Sequence, residues 1–539
     1  MNFNKEAYKA LQDVVGPDNI SQDPAIIQPY MFQMSFGAAP SKLLPIVPGA
    51  AILPEKTEEV QAMVKICNKY KIKFLAHSTG FGSFTIPMVA GALLVDMRRM
   101  NRIIKIDEKN KYAIIEPYVI ARQLQTEVIK LGFLSHVIGA GSTHSPLASA
   151  TAFGGMGPTG NTTSHNCRNL IGFELVTCDG RIVRDGIIKG EFGDPGPSMR
   201  GIIRGDFGSA GGIGIFTKAA LKIYPWAGDP TPELTGSNPQ YGWKIPENTR
   251  VYSLRFPDWE SLSDAVYKTN EEGIAFASWS RALSEMIVNL TTTNNEYYDI
   301  WQKLVKEDRM AENRCLLQLV VVARTKKEME FKEKVLNDIL DETGGKEALA
   351  DLIGEKEKEV LYVSFISGWL LSRWCFRPTG DFGSTHMSYQ DWDTNMKLAK
   401  LHEDYRPKYV KSGGIMDEGP HSMWFGPEEQ YTHGHVEDLC YLDTKDPKST
   451  KACFDQMMEE EVMAREKKLF GGAPLSLLVM PEAFTNKDTL KAFPRTWTNQ
   501  IKDIFDPNEV TAAMPYLKVE EIHKDFMAGM AKIMGEGPQ

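Results

Sequence analysis

The stretch FLAHSTGFGSF, residues 74–84, ends the apolar run IKFLA and decides how the N-terminal half is read. It is rich in glycine, yet it lacks the Gly-Lys-Ser/Thr ending through which a P-loop lysine reaches phosphate. Nor does it open straight into a helix, as a GxGxxG dinucleotide turn does. TIPMVAG and then ALLVDM (92–97) follow, so the loop joins strand to strand. Successive N–H groups in such a loop can form an anion-binding nest without any lysine.

Outward from the loop the pattern is regular. LPIVPGAAILP reads as a short strand region, and TEEVQAMVKICNKY (57–70) has helical apolar spacing with Thr57 as its expected N-cap. RIIKID (102–107) and KYAIIEP (111–117) read as a hairpin, and ARQLQTEVIKLG (121–132) as a helix closed at Gly132. HVIGAGSTHSPLASATAFGGMGPTGNTTSHN (136–166) is dominated by Gly, Ala, Ser and Thr and carries few charges. Small residues let backbone approach a bulky ligand closely, so this is read as a ligand-lining segment rather than a linker. LIGFELVTCDGRIV (170–183) gives strand, Asp-Gly turn and strand, and GIFTKAALKIYP ends the region as a further strand. AGDPTPELTGSNP, dense in turn residues, marks a boundary. Beyond it, helices with charged, solvated faces such as TKKEMEFKEKVLNDILDET and MMEEEVMAREKKLF alternate with the aromatic strands RVYSLRF and EVLYVSF.

The 539 residues call for two or three domains, and the net charge of −9 argues against a nucleic-acid partner, which needs a basic surface. The N-terminus has no apolar core followed by a cleavage site, and no run approaches the ~18 apolar residues of a membrane span, so a soluble cytoplasmic protein is expected. The seven cysteines form no CxxC and no cluster, which removes iron–sulfur and structural-zinc readings and leaves buried free thiols as the expectation.

The ordered set VGPDNIS (15–21), PGAAILPEKTEEVQAMVKICNKYKI (48–72), STGFGS, LLVDMRRMNRIIKID, YAIIEPYV, the small-residue segment, GFELVTCDGRIV and GGIGIFTKAALKIYP resembles the vanillyl-alcohol-oxidase/p-cresol-methylhydroxylase (PCMH) type of FAD-binding domain. It is also similar to the glycolate and D-lactate dehydrogenase branch of that superfamily. IKDIFDPNEV (501–510) resembles the C-terminal segment that returns to this domain. The resemblance implies an α+β fold with a two-part PCMH-type FAD-binding domain and a separate α/β cap. The chain would divide into residues 1–228, a cap over 229–480 and a returning segment over 481–539. It implies FAD as cofactor. Ser78, Thr79, Gly80, Phe81, Gly82 and Ser83 would cradle the pyrophosphate. Pro146, Ser149, Ala150, Gly154, Gly155, Gly157 and Gly160 would line the isoalloxazine and ribityl chain, and Gly214 and Ile215 would lie beside the adenine half. Leu75, Ala76 and His77 stand where relatives carry an arginine and further glycines. The position of the flavin-linking histidine of covalent members falls on Thr79, so non-covalent FAD is expected.

A flavin dehydrogenase also needs a substrate anchor and a proton acceptor. RWCFRPTGDFGSTHMSYQDW (373–392) offers Arg377 to pair a substrate carboxylate and His386 as base. DEGPHSMWFGPEEQYTHGHVEDLCYLD (417–443) offers Tyr431, His433 and His435, the two histidines sharing one face of a strand. His435 matches the first histidine of the 2-hydroxy-acid branch's GH-x-GDGN-x-H metal signature, but the second falls on Leu442, so no metal is expected. The resulting expectation is a dehydrogenase passing hydride from a small hydroxylated, carboxylate-bearing substrate to flavin N5. The electrons would go on to an external acceptor, an iron–sulfur subunit or an electron-transfer flavoprotein, with the chain as a homo-oligomer or complex subunit. The alternatives are an enzyme acting on para-substituted phenols and a non-catalytic electron-relay subunit.

Overall fold

The computed structural model describes residues 4–31, 47–80, 89–139, 141–152, 155–190, 198–203, 209, 211–237, 240–368, 377, 379–388, 390–421, 423–443, 445–469 and 495–513. Four strands open the N-terminal half: β1 (Ile20–Ser21), β2 (Ala50–Ile52), β3 (Phe74–His77) and β4 (Leu93–Asp96), in the order β1-β2-β4-β3. β3 and β4 run parallel, Phe74 opposite Leu93 and His77 opposite Asp96. The glycine-rich loop is therefore a crossover and not a hairpin turn, because parallel neighbours cannot be joined by a tight turn. The helix Thr57–Tyr70 covers this sheet through Val60, Met63, Val64 and Cys67, a helical repeat of buried positions.

A second, antiparallel sheet follows. Strands β5 (Ile103–Asp107) and β6 (Tyr112–Ile115) form the expected hairpin. β7 (Phe133–Leu134) lies apart, and β8 (Leu170–Thr177), β9 (Ile182–Gly186) and β10 (Gly214–Lys222) complete the order β5-β6-β10-β8-β9. The chain's C-terminal stretch packs onto the first sheet. Phe74 N–H donates to Val510 O, Ala512 N–H donates to Phe74 O, and Ala512 and Ala513 are buried.

β11 (Tyr224–Pro225) pairs with β7, and β12 (Leu234–Ser237) pairs with β13 (Gln240–Trp243). Then come β14 (Thr249–Phe256), β15 (Ala277–Trp279), β16 (Cys315–Val322) and β17 (Lys346–Glu347), ordered β15-β16-β14-β17. The strands β18 (Phe382–Ser388), β19 (Met423–Glu428) and β20 (His433–Tyr441) are ordered β18-β20-β19. An isolated bridge between Ser280 and Phe425 joins the β15 edge to the β19 edge, so the two sheets act as one surface with two faces. One face packs Trp259, Leu262, Leu336 and Leu398 from helices against Phe425 and Val436. The other carries Trp279, Trp424, Leu439 and Tyr441 and shares its core with Ile129, Leu134 and Trp226 of the N-terminal half.

Several local readings are corrected. EVLYVSF is not a strand but lies within the helix Glu355–Ser367, where every residue from Val360 to Ser367 is buried. A helix buried all round shows a continuous apolar run, which periodicity cannot tell from a core strand. Thr57 is the first helical residue rather than its cap, and its hydroxyl donates to Glu174 Oε1 at 2.7 Å. In the helix Pro447–Glu466 the acidic run is not a solvated face, since Glu460 and Glu461 are both buried. Cys67, Cys167, Cys178 and Cys315 are buried free thiols, as expected, whereas Cys440 on β20 is disulfide-bonded to Cys453. Among the described residues no helix is long and apolar enough to cross a membrane.

Candidate active site

Residues 155–166 run between the N-terminal half and the inward face of the cap strands, and backbone contacts fix them there. Ser278 N–H donates to Pro158 O at 3.1 Å, Asn161 Nδ2 to Ala275 O at 3.1 Å and Thr162 Oγ1 to Phe276 O at 2.6 Å. The packing depends on absent side chains. A Cβ on Gly157 would lie 2.1 Å from Val137 O, and one on Gly160 would lie 1.9 Å from Glu428 Oε2. Only glycine fits such close backbone approaches.

Four histidine rings border this segment. His136 Nδ1 lies 3.0 Å from Thr163 Oγ1, and His165 stands edge-on to His433 of the cap with ring centres 5.9 Å apart. His144 Nδ1 lies 2.5 Å from Gly141 O. A carbonyl can only accept, so Nδ1 carries the proton and Nε2 presents a lone pair. That Nε2 is buried and has no hydrogen-bond partner among the described residues. Burial pushes His136 down to about 3, aided by neighbouring His144, and His144 down to about 4. Burial holds His165 well below the ordinary imidazole range and also lowers His433. The wall is polar but uncharged at neutral pH.

Across from it, the inward face of β19 and β20 follows from register. Glu428 pairs with His433, Gly426 with His435 and Trp424 with Glu437. His433, His435, Glu437 and Tyr441 thus share one face, each an even number of residues from the next along the strand. His435 Nε2 lies 3.4 Å from Glu437 Oε2, and its ring stacks on Trp279 with centroids 6.1 Å apart. Beyond lie two further buried ionisable residues, Arg281 and Glu285. Arg281 sits over the Phe365 ring at 5.8 Å. Glu285 accepts from Trp424 Nε1 and, at 3.2 Å, from Tyr441 Oη. Burial raises Glu285, while Trp424 and the positive charge of Arg281 pull it down. Neither residue belongs to a motif; Arg281 precedes the apolar helix Leu283–Leu290 and Glu285 lies in its first turn.

The expected site residues divide accordingly. His433 and His435 meet the 155–166 segment and the Trp279 wall. Arg377 does not present a free guanidinium: Nη1 donates to Val288 O at 3.3 Å and Thr291 O at 2.7 Å, and Nη2 to Thr291 Oγ1 at 2.6 Å. It closes the C-terminal end of the helix Leu283–Leu290, whose last carbonyls lack internal partners. Tyr431 sits at the β19–β20 turn with φ of 65° and packs edge-on against Tyr267, away from the inward face. His386 lies on β18 in register with Asp438. Of the cofactor positions, Phe81, Gly82, Ser83 and Gly154 lie outside the described residues. Ser78 Oγ donates to Pro117 O at 2.6 Å, as does Ser145 Oγ, tying loop 78–80 to the start of the helix Pro146–Thr151. Pro146, Ser149 and Ala150 are buried in that helix, Gly155 and Gly157 line the next turn, and Gly214 and Ile215 begin β10. Among the described residues no group of His, Cys, Asp or Glu is arranged to hold a metal ion.

A glycine-smoothed backbone, neutral imidazoles and an unpartnered His144 Nε2 fit a large, flat, polar and uncharged ring better than a metal or a bare anion. Comparison with known proteins agrees. Residues 48–186 match the FAD binding domain family. The flavoprotein subunit of 4-cresol dehydrogenase (hydroxylating) from Pseudomonas putida is 30% identical over 195 residues, 34% of this chain and 35% of that protein. Glycolate oxidase subunit GlcD of Bacillus subtilis is 28% identical over 236 residues, 41% of this chain and 46% of that protein. The alignments thus span less than half the length of these curated relatives. The fold likeness is wider: p-cresol methylhydroxylase with substrate bound superposes with a TM-score of 0.72 at 20% identity, covering 96% of this chain and 97% of that one. The fold is the two-part PCMH-type α+β architecture.

Proposed function

We propose that this chain, which carries an FAD-binding domain over residues 48–186, is an FAD-dependent oxidoreductase that oxidises a small hydroxylated aromatic substrate, a para-substituted phenol, and passes the electrons to an external acceptor or partner protein. In this reading residues 1–228 and 481–539 form the cofactor half and 229–480 the cap. The observation that carries it is the set of Arg281 and Glu285 buried among Trp279, Trp424, Tyr441 and Phe365 on the cap's inward side. Aromatic walls suit an aromatic ring, and a buried guanidinium stabilises a phenolate far more strongly there than in water. Arg377, by contrast, donates to Thr291 O and Oγ1 at the end of a helix.

Bound FAD supplies the hydride acceptor. The chain's own residues do the rest. Arg281 holds negative charge on the substrate oxygen. Tyr441 Oη, bonded to Glu285 Oε1, gives the substrate hydroxyl proton a route to that carboxyl group, which burial raises to about 8 and which accepts the proton in its ionised form. His435 and Glu437 stand beside this route on the same strand face. The subunit status of the 4-cresol dehydrogenase relative supports a partner protein as electron acceptor. The similarity to a glycolate oxidase subunit supports a second reading, a 2-hydroxy acid held by Arg281. Anaerobic titration of the purified yellow protein with 4-ethylphenol and, separately, with glycolate and D-lactate tests both. Bleaching of the flavin band by the phenol alone supports the first reading, and bleaching by the hydroxy acids alone replaces it with the second.

A further inference from the structure

Glu428 ends β19 on the inward face, opposite His433, and is fully buried. Its carboxyl reaches across to the segment that lines the cofactor. Oε1 accepts from Gly157 N–H at 3.2 Å, and Oε2 lies against Gly160 with no hydrogen-bond partner among the described residues. The turn that follows holds it there by unusual means. Glu429, Gln430 and Tyr431 all have positive φ, Glu429 N–H donates to Gly160 O, and Gln430 N–H donates to Asn161 O, both at 3.2 Å. Arg168 pairs with Glu429 at 2.8 Å. Left-handed conformations at three successive non-glycine residues cost energy, so the surrounding contacts must over-determine this turn. Its effect is to press one carboxyl into a dry interface. Burial, opposed by the Gly157 N–H and reinforced by the charge of Glu429, pushes that carboxyl well above the ordinary carboxylate range, towards its protonated form. A protonated acid has an O–H to donate, and a buried donor without an acceptor is costly.

We propose that Glu428 is a cofactor-contacting residue contributed by the cap, donating a hydrogen bond from its second carboxyl oxygen to a polar edge of the flavin ring that lies along residues 155–165. The inference rests on the FAD reading above. It gives the cap a direct hold on the cofactor, so that cap seating and cofactor binding are coupled. The test compares purified wild type with Glu428→Gln and Glu428→Ala by FAD titration of the stripped proteins, by the visible spectrum of the bound flavin and by thermal melting of the stripped forms. Gln keeps a donor and an acceptor in the same volume, so its FAD affinity stays within about threefold of wild type. Ala weakens FAD binding about tenfold, the loss of ~1.4 kcal/mol, and alters the shape of the flavin band. Unchanged FAD affinity and spectrum in both variants overturn the proposal. So does a loss in Ala that appears as a lower melting temperature of the stripped protein with no change in the bound-flavin spectrum, because that is a purely structural role. A wild type that takes up no FAD rejects the cofactor reading itself, a separately visible outcome.

Discussion

The two walls of the candidate site are built from different materials. On the N-terminal side the surface is backbone and small side chains, with Gly157 and Gly160 packed so tightly that a methyl group would collide and with imidazoles kept neutral by burial. On the cap side it is made of large aromatic and ionisable side chains, Trp279, Arg281, Glu285, Trp424, His435 and Tyr441. A wall of the first kind holds one large neutral ring by shape and tolerates little change. A wall of the second kind places charge next to a small substrate, and its specificity can vary while the first wall stays fixed. Binding of the cofactor and recognition of the substrate should therefore be separable by mutation.

The largest effect is expected at the cap. Arg281→Met should leave bound FAD and its spectrum intact yet slow phenol-driven flavin reduction by on the order of 10²–10³, the size of losing one preorganised charge at a developing anion. Stopped-flow reduction under anaerobic conditions measures it, and a parallel loss of FAD would break the contrast between the walls. Gly157→Ala should do the reverse. Overpacking against Val137 O costs roughly 1–3 kcal/mol, which translates to about a tenfold to hundredfold weaker FAD affinity, read by equilibrium titration.

The pH dependence of stability sharpens the comparison further. His136 and His144 are neutral in the folded chain down to about 3 and about 4, while in the unfolded chain they protonate near 6.5. Between those limits the unfolded state binds more protons, so stability falls as the pH drops from ~6.5 towards ~4 and the loss levels off below the folded values. Denaturant midpoints across this range should show that slope, and His144→Gln should flatten it. The smallest effect concerns Arg377. Arg377→Met should cost about 1–2 kcal/mol of stability by freeing the Val288 and Thr291 carbonyls, with no change in flavin reduction rate.

The contrast also explains what could be seen in the sequence. The N-terminal half announces itself because its function is carried by small residues in order along the chain, and because the β5–β6 and β8–β9 hairpins and strand β10 are local. The cap's site is assembled by register and packing. His433 and His435 could be placed on one face from their spacing alone, but Arg281 and Glu285 join that sheet through contacts between residues distant in sequence, the bridge between Ser280 and Phe425 and the hydrogen bonds of Glu285 to Trp424 and Tyr441. The helix-end contacts of Arg377 could not be read from the sequence, because an arginine beside aromatic residues looks the same whether it faces a ligand or the end of a helix. The acidic run of the helix Pro447–Glu466 misled for a similar reason. Gln456 Nε2 bonds both Asp438 Oδ2 and Glu460 Oε1, a partnership that permits burial and has no signature in composition.

The most direct measurement is an anaerobic titration of the purified protein with 4-ethylphenol, followed in the visible flavin band and repeated on Arg281→Met. The expected result is a yellow protein whose band bleaches with the phenol in wild type and is slow to bleach in the variant. A flavin band untouched by phenols in wild type, but bleached by glycolate or D-lactate, would contradict it.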